Sequence, residues 1–229
     1  SSLIAILTGL SLSFFTPLNI GTYLGRVWQL QSKKRYEVLG SLLLGSFLQS
    51  FFTFGLGILA LFVCFPLQNK EVKSLFSFGI VALLTLVVSI FFIKKYFPTF
   101  KKHPKYYRFI AILEKYSKRE LIYLWFISGF RYVVFCTQFV LLLLAWKVEL
   151  KLSTLFTSVS MSFALKSSLP TLNFLSDLGI RESSAVYTFG FYTTELEGVL
   201  MASLSLWLIN IALPSLIGLV FLYKARIQN

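Results

Sequence analysis

Four basic residues lie within or beside the most apolar parts of this chain, where a charged side chain is costly. They are Arg26, Arg131, Lys166 and Arg181. A lone charge at the centre of a membrane span costs about 2.5 to 3.5 kcal/mol, so each of these side chains must face protein or a water-filled space. Because guanidinium groups bind phosphate through paired hydrogen bonds, we predict that these bases hold the phosphate of an anionic headgroup.

Carboxylates near the same segments offer a second explanation for the bases. The acidic residues are Asp177, Glu182, Glu195 and Glu197. Pairing of Arg131 with Asp177 or Glu182 would lock a helix bundle together without binding a ligand. In the substrate-binding interpretation, Asp177 and Glu182 orient the bases or change protonation during a cycle. The sequence leaves both interpretations open.

Two short polar stretches interrupt the apolar sequence and are the best candidates for a working site. The first runs from Thr16 to Arg26 and the second from Leu169 to Glu182. Broken backbone at membrane depth is tolerated only against protein or a wet cavity. The residues predicted to break or bend the helices are Pro17, Gly21, Gly25, Pro170 and Gly179.

Broken helices also create anion sites, because the first amides of a helix carry a partial positive charge. A helix that restarts after Pro17 or after Gly179 is therefore expected to favour an anionic group. Asn19 and Asn173 can satisfy backbone groups freed near each proline. Direct contact with the ligand is the alternative role for these two asparagines.

Composition identifies the class of protein. The 229 residues are 56% hydrophobic and 14% charged, which is too apolar for a soluble domain. Four apolar runs reach the roughly 20 residues that cross a bilayer, namely 38–65, 75–93, 121–146 and 198–223. Shorter runs at 1–15 and 153–169 lead into the two interruptions. We predict an all-α, polytopic membrane helix bundle with two broken or re-entrant segments, forming a single domain over residues 1–229.

The formal charge of +13 is concentrated in one loop. Residues 94–120 contain nine bases and two acids, a net charge of +7. Bases near span ends mark the cytoplasmic side, so this loop and the C-terminus, with Lys224 and Arg226, are expected there. Helical spacing within the loop is followed by Tyr106, Phe109, Ile110 and Leu113. This spacing predicts an interfacial amphipathic helix on an anionic leaflet, or else an orientation signal with a solvated connector, and neither is a nucleic-acid site.

Residues for catalysis are scarce. The single histidine, His103, lies in the basic loop, so the apolar bundle contains no Ser-His-Asp or Cys-His pair. Cys64 and Cys136 lie in separate apolar runs, where cysteine behaves as a small hydrophobic residue. Neither a Walker sequence nor a complete dinucleotide-binding glycine motif occurs. We predict no enzymatic activity, no cofactor and no metal site.

The two interruptions resemble the signature regions of a known family, the flippase-like transmembrane domain of lysylphosphatidylglycerol synthase. The first signature is carried by residues 16–21 with Gly25 and Arg26, and the second by 169–170 and 178–182. The second is more specific, because its Leu-Gly-Ile-Arg-Glu run is similar to a family core usually written Gly-Gly-Leu-Gly-Val-Arg-Glu. Ser176-Asp177 stands here in place of the paired glycines.

The resemblance implies a polytopic bundle with re-entrant segments that moves lipids or lipid-linked molecules between the leaflets of a bacterial inner membrane. It also implies that additional N-terminal helices of the family are missing from this chain. Relatives that transfer lysine do so with a separate soluble domain, so the resemblance does not imply that activity here. The positions that match the family motifs are Pro17, Asn19, Gly21, Arg26, Pro170, Gly179, Arg181 and Glu182.

We therefore expect a flippase-like protein whose partners are membrane lipids with anionic headgroups. One alternative is a membrane scaffold that recruits a lipid-modifying enzyme through the basic loop. The other is an ion- or proton-coupled carrier of small solutes that uses Asp177, Glu182 and Glu195 as a relay.

Overall fold

The computed structural model describes residues 2–16, 21, 32–64, 116–169, 171 and 174–227. Within these ranges all regular structure is helical, which confirms the predicted all-α class. In chain order the elements are α1 (Ser2–Phe15), α2 (Ser32–Cys64), α3 (Lys118–Ala145), α4 (Leu152–Ser168), α5 (Phe174–Phe189), α6 (Glu197–Trp207), a π-helix (Leu208–Ala212) and α7 (Leu213–Ile227).

Three helical segments are long and apolar enough to cross a membrane. They are Val38–Leu61, Lys118–Ala145 and Glu197–Phe221. Each corresponds to a predicted span, and the fourth predicted span, 75–93, lies outside the described residues. Helix α2 has 33 residues, or about 50 Å at 1.5 Å per residue, so it must tilt in or extend beyond about 30 Å of hydrocarbon. These segments indicate an integral membrane protein.

Helices α4 and α5 are too short to span. They contain 17 and 16 residues, or about 24 to 26 Å. Helix α1 ends at Phe15 and α4 ends at Ser168, so both stop at the start of an interruption, as predicted. The lengths of α4 and α5 suit segments that enter a bilayer without crossing it.

The expected helix break at Gly179 is wrong. Helix α5 begins at Phe174 and continues through Gly179 to Phe189. Gly179 is exposed, and a Cβ atom there would meet no atom within 4 Å. A glycine inside a helix costs only about 1 kcal/mol relative to alanine, which the packing of the rest of α5 outweighs. The interruption therefore ends before Phe174.

The chain divides into two compact units. Unit 1 comprises Ser1–Leu39, Gln138–Leu150 and Leu169–Asn229, and unit 2 comprises Gly40–Thr137 and Lys151–Ser168. Helix α3 passes from unit 2 into unit 1 at residue 138. Whether the whole chain forms a single transmembrane domain stays a prediction.

Unit 2 joins α2, the first part of α3 and α4 through small residues and rings. A Cβ atom on Gly57 would collide with the Cβ atom of Ala164, so α2 and α4 approach closely at that point. Aromatic rings fill the remaining space, with ring centroids 4.9 Å apart for Phe52 and Trp125 and 6.3 Å apart for Tyr132 and Phe163. Small residues at close contacts are typical of helix packing in membranes.

Unit 1 packs the end of α3 with α5 and α6. The rings of Phe139 and Phe189 lie 6.4 Å apart and both side chains are buried. A Cβ atom on Gly198 would lie 2.8 Å from the carbonyl oxygen of Trp146, so the start of α6 contacts the end of α3. The Trp146 indole N–H also donates to the Ser205 hydroxyl over 3.2 Å.

Helices α1 and α7 form a second close pair within unit 1. The Ser11 hydroxyl donates to the carbonyl oxygen of Ser215 over 2.6 Å. A Cβ atom on Gly218 would collide with the carbonyl oxygen of Leu7 and the hydroxyl of Ser11. The hydrogen bond and the missing side chain together let the two backbones meet.

Both ends of α3 are capped. The Ser117 N–H donates to Glu120 Oε2 over 2.7 Å and the Glu120 N–H donates to Ser117 Oγ over 3.3 Å, which is a capping box. Helix α3 thus includes the last three residues of the expected basic loop 94–120. The predicted amphipathic helix, 106–113, lies outside the described residues.

The end of α3 adopts a left-handed turn that normally uses glycine. The Val148 N–H donates to the Leu143 carbonyl and the Lys147 N–H to the Leu144 carbonyl, both over 3.0 Å, as in a Schellman motif. Lys147 has φ of 57°. For a residue with a Cβ atom this conformation costs about 1 to 2 kcal/mol.

Lys147→Gly is therefore expected to raise the free energy of unfolding by about 1 kcal/mol, after allowance for the greater entropy of glycine in the unfolded chain. For a chain of this size, the midpoint of thermal unfolding in detergent rises by about 2 to 4 °C, measured by tryptophan fluorescence. Glu149→Gly is the matched control, because Glu149 lies in the same loop without a positive φ. A lower midpoint for Lys147→Gly would contradict the assigned strain.

Candidate functional site

One face of α5 carries polar side chains directed into unit 1. Asp177, Arg181, Ser184 and Thr188 are spaced by four, three and four residues, so they share a side of the helix. Ser184 and Thr188 are buried, and their hydroxyls donate to the carbonyl oxygens of Ile180 and Ser184 over 2.6 and 2.9 Å. These two hydroxyls are satisfied within α5, which leaves the charged groups near its start as the chemically active part.

Asp177 and Arg181 form an ion pair at this end of α5. Arg181 Nη2 lies 3.4 Å from Asp177 Oδ2, and the two side chains are only 15% and 11% exposed, respectively. The acid precedes the base by four residues, which is the favourable order on a helix, and it lies in the first turn, where negative charge is stabilised. The pair shields both charges from the apolar surroundings.

Glu182 lies next to this pair and faces α6. Both of its carboxylate oxygens are buried, and so are Arg181 Nε and the hydroxyl of Ser203 on α6. None of these four atoms has a hydrogen-bond partner among the described residues. Burial raises the pKa of Glu182, while the Ser203 hydroxyl and the Arg181 guanidinium oppose the shift. Glu182 therefore holds its proton more tightly than an ordinary glutamate does.

The four unpartnered atoms make this part of the α5–α6 contact a candidate ligand site. A buried polar atom without a partner costs about 1 to 3 kcal/mol, and most buried polar atoms in folded proteins are paired. Here the unused donors and acceptors are adjacent. We name this group of Asp177, Arg181, Glu182 and Ser203 the α5–α6 site, and it can supply cationic donors to an anion and a carboxyl group for proton exchange.

Two other predicted binding residues lie in unit 2. Arg131 is exposed near the middle of α3, and its guanidinium carbon lies 5.5 Å from the centroid of the Phe135 ring, which is within cation–π range. Lys166 is half-buried in the last turn of α4. Asp177 forms its ion pair with Arg181, and the suggested pairing of Arg131 with Asp177 or Glu182 stays a prediction.

Several predicted residues have no described position. Those that lie outside the described residues are Pro17, Asn19, Gly25, Arg26, Pro170 and Asn173. Their roles as ligands or helix breakers stay predictions.

Gly21 shows how the first interruption begins. The Thr16 hydroxyl donates to the Leu12 carbonyl over 3.0 Å and accepts the Gly21 N–H over 2.7 Å. Gly21 is buried, and a Cβ atom on it would collide with the backbone of Leu12 and Ser13. The chain therefore returns against the end of α1, and the absence of a side chain at Gly21 makes this contact possible.

Sequence reasoning missed a polar contact within the last span. Asn210, in the π-helix, donates through Nδ2 to Gln138 Oε1 and to the Leu206 carbonyl, both over 3.0 Å. Pro214 follows two residues after the π-helix and lacks an N–H group. An Asn and a Pro in a 25-residue apolar span were the available signals. Ser203, by contrast, gave no signal in the sequence.

Unit 2 contains an apolar cavity of about 250 Å³ between α2, α3 and α4. Leu56, Val133 and Phe156 contribute to its lining, and none of its lining residues is charged. The cavity suits a hydrocarbon group.

The described residues contain no group of three or more His, Cys, Asp or Glu side chains that could hold a metal ion. Comparisons of the chain with models of protein families, with curated proteins and with solved structures find no match. Function is therefore inferred from the residues themselves and from the geometry of the α5–α6 site.

Gly21→Ala and Gly179→Ala test the two glycines against each other. We expect Gly21→Ala to lower the free energy of unfolding by about 1 to 3 kcal/mol, because the new methyl group overlaps backbone atoms. Gly179→Ala is expected to raise it by about 0.5 to 1 kcal/mol, because an exposed helical glycine is replaced. Thermal unfolding in detergent measures both, and equal shifts for the two variants would contradict the placement of Gly21.

Glu182 is expected to make stability dependent on pH. Glu182 binds a proton more tightly in the folded chain than in the unfolded chain, where its carboxyl group has the ordinary pKa of 4.5. The contribution of Glu182 to the free energy of unfolding is therefore complete below pH 4.5 and is lost as the pH rises through the folded-state pKa. Thermal unfolding should show a midpoint that falls with rising pH and a weaker dependence in Glu182→Gln. The control Glu197→Gln, at an exposed residue of α6, should keep the wild-type dependence; if Glu182→Gln keeps it too, Glu182 is not the group responsible.

Proposed function

We propose that this chain is a flippase-like integral membrane protein that moves an anionic lipid, or a lipid-linked molecule, between the leaflets of a bacterial inner membrane. Its C-terminus lies in the cytoplasm. Arg181 contacts the phosphate of the headgroup in the α5–α6 site, and the acyl chains remain in the hydrocarbon.

The observation that carries this proposal is the buried guanidinium of Arg181. It lies in a helix too short to span a bilayer, it is held by Asp177 at 3.4 Å, and its Nε donor has no partner among the described residues. A guanidinium presents five N–H donors in one plane, and a phosphate can accept two of them at once. An anionic headgroup would therefore satisfy donors that the protein leaves unused.

The arrangement of the helices also supports the proposal. Three segments can cross the membrane, while α4 and α5 are short. A headgroup that crosses the bilayer needs polar groups at intermediate depth, since the hydrocarbon offers none. Short helices with buried hydroxyls and charges provide such groups. The sequence gives a separate support, because Gly21, Arg181 and Glu182 are among the residues that resemble the motifs of the flippase-like family.

The other hypotheses have less support. The scaffold hypothesis depends on the basic loop, most of which lies outside the described residues. Glu195 is exposed in the turn between α5 and α6 and contributes none of the four unpartnered atoms, so a relay through Glu195 has no specific observation in its favour.

Lipid movement should depend on Arg181. The full chain is reconstituted in phosphatidylcholine vesicles with a trace of fluorescent phosphatidylglycerol, and bleaching from outside reports the probe that reaches the outer leaflet. Charge-assisted hydrogen bonds contribute about 1.5 to 3 kcal/mol. Arg181→Gln is therefore expected to slow lipid movement by about tenfold to a hundredfold.

Two controls separate binding from folding. Arg119→Gln removes an exposed base at the start of α3 and should leave the rate unchanged. The double variant Asp177→Arg/Arg181→Asp keeps an ion pair but moves the base by one helical turn. Movement at the wild-type rate in the double variant, or in Arg181→Gln, would reduce Arg181 to a structural role and contradict the proposal.

A further inference from the structure

The α5–α6 site contains one more acid than base. Asp177 and Glu182 contribute two negative charges and Arg181 one positive charge, so the ionised site has a net charge of −1. An uncompensated charge is expensive to remove from water, and a buried group usually changes its protonation instead. Binding of one proton makes the site neutral.

The environment of the two acids indicates which one carries the proton. Asp177 accepts a hydrogen bond from Arg181 and lies in the first turn of α5. The Glu182 oxygens accept no hydrogen bond from the described residues. Burial raises the pKa of Glu182 more than the Ser203 hydroxyl across the contact and the Arg181 guanidinium lower it.

Arg181 is the base that acts on Glu182 at this contact. Helix α6 contributes one ionisable residue, Glu197, which is exposed six residues before Ser203, and the sequence of α1 contains none. The end of α3 adds Lys147 and Glu149 in its exposed turn. On α5 itself, Tyr187 is exposed. The pKa of Glu182 is thus raised mainly by burial, and the Ser203 hydroxyl and Arg181 oppose this shift.

We propose that Glu182 binds a proton that enters and leaves with the lipid, so that an anionic headgroup and a proton occupy the α5–α6 site together. This coupling rests on the proposed lipid movement, although proton binding by Glu182 does not. A phosphate bound to Arg181 weakens the ion pair between Arg181 and Asp177 and adds negative charge beside Glu182. Glu182 then binds its proton more tightly. By linkage, the proton strengthens headgroup binding by the same factor.

The first measurement detects the proton without requiring lipid movement. Infrared difference spectra of the full chain in phosphatidylcholine vesicles are recorded while the pH is raised. The carbonyl band of a protonated carboxyl group should persist above the ordinary carboxyl pKa range in the wild type and in Glu197→Gln. The band should be missing in Glu182→Gln, a nearly isosteric variant whose folding is checked by thermal unfolding.

The second measurement applies a pH difference across the same vesicles and follows fluorescent phosphatidylglycerol. One proton per lipid predicts a leaflet asymmetry of up to about tenfold per pH unit. Glu182→Gln, which can neither release nor take up the proton, should abolish this asymmetry. Ser203→Ala removes a hydroxyl that lowers the pKa of Glu182, so it should increase the fraction protonated and keep a dependence on the pH difference.

Each combination of results decides between the claims. A band lost in Glu182→Gln together with lipid that follows the pH difference supports the proposal. Movement that ignores the pH difference overturns the coupling but leaves lipid movement intact. The same band with no lipid movement supports the proton site and removes both lipid movement and its coupling. Absence of the band from the wild type overturns the proton site, whatever the lipid does.

Discussion

The ion pair between Asp177 and Arg181 is the interaction on which the candidate site depends. Arg181 is mostly buried on a helix that cannot span the membrane, and a lone charge in such surroundings costs several kcal/mol. Asp177 offsets part of that cost one helical turn away. Glu182 lies beside this pair with both carboxylate oxygens buried, and burial raises its pKa although Arg181 opposes the shift.

Close helix packing surrounds this pair with little empty space. Most buried hydroxyls of the short helices donate to carbonyls of their own helix, as Ser184 and Thr188 do. Glycines bring backbones into contact, with Gly218 against α1 and Gly198 against the end of α3. The unpartnered atoms of Arg181, Glu182 and Ser203 differ from the other buried atoms without a hydrogen-bond partner because they include charged groups that lie together.

The sequence predicted what depends on local pattern. The spans follow from length and hydropathy, and the ends of α1 and α4 follow from the polar residues after them. The pairing of Asp177 with Arg181 was not predicted, although a spacing of four residues on a helix allows it. Nor was the continuity of α5 through Gly179 predicted, because tertiary packing outweighs the weak preference of one glycine. Ser203 and the Gln138–Asn210 bond, between residues 72 apart, depend on which helices become neighbours, and local pattern does not contain that information.

The π-helix explains how one span serves both helix pairs of unit 1. In α6 the buried residues Val199, Ala202, Ser203 and Leu206 lie on one face. If the helix continued with ideal geometry, residues 213 and 217 would lie on the same face. Instead, Leu213 and Ile217 are exposed, while Ser215 and Gly218 are buried. The wider turn at Leu208–Ala212 shifts the pattern, since one inserted residue rotates the rest of the helix by about 100°. The span therefore presents Ser203 to α5 and Ser215 with Gly218 to α1, so the charged site and the helix that leads into the first interruption contact the same rigid element.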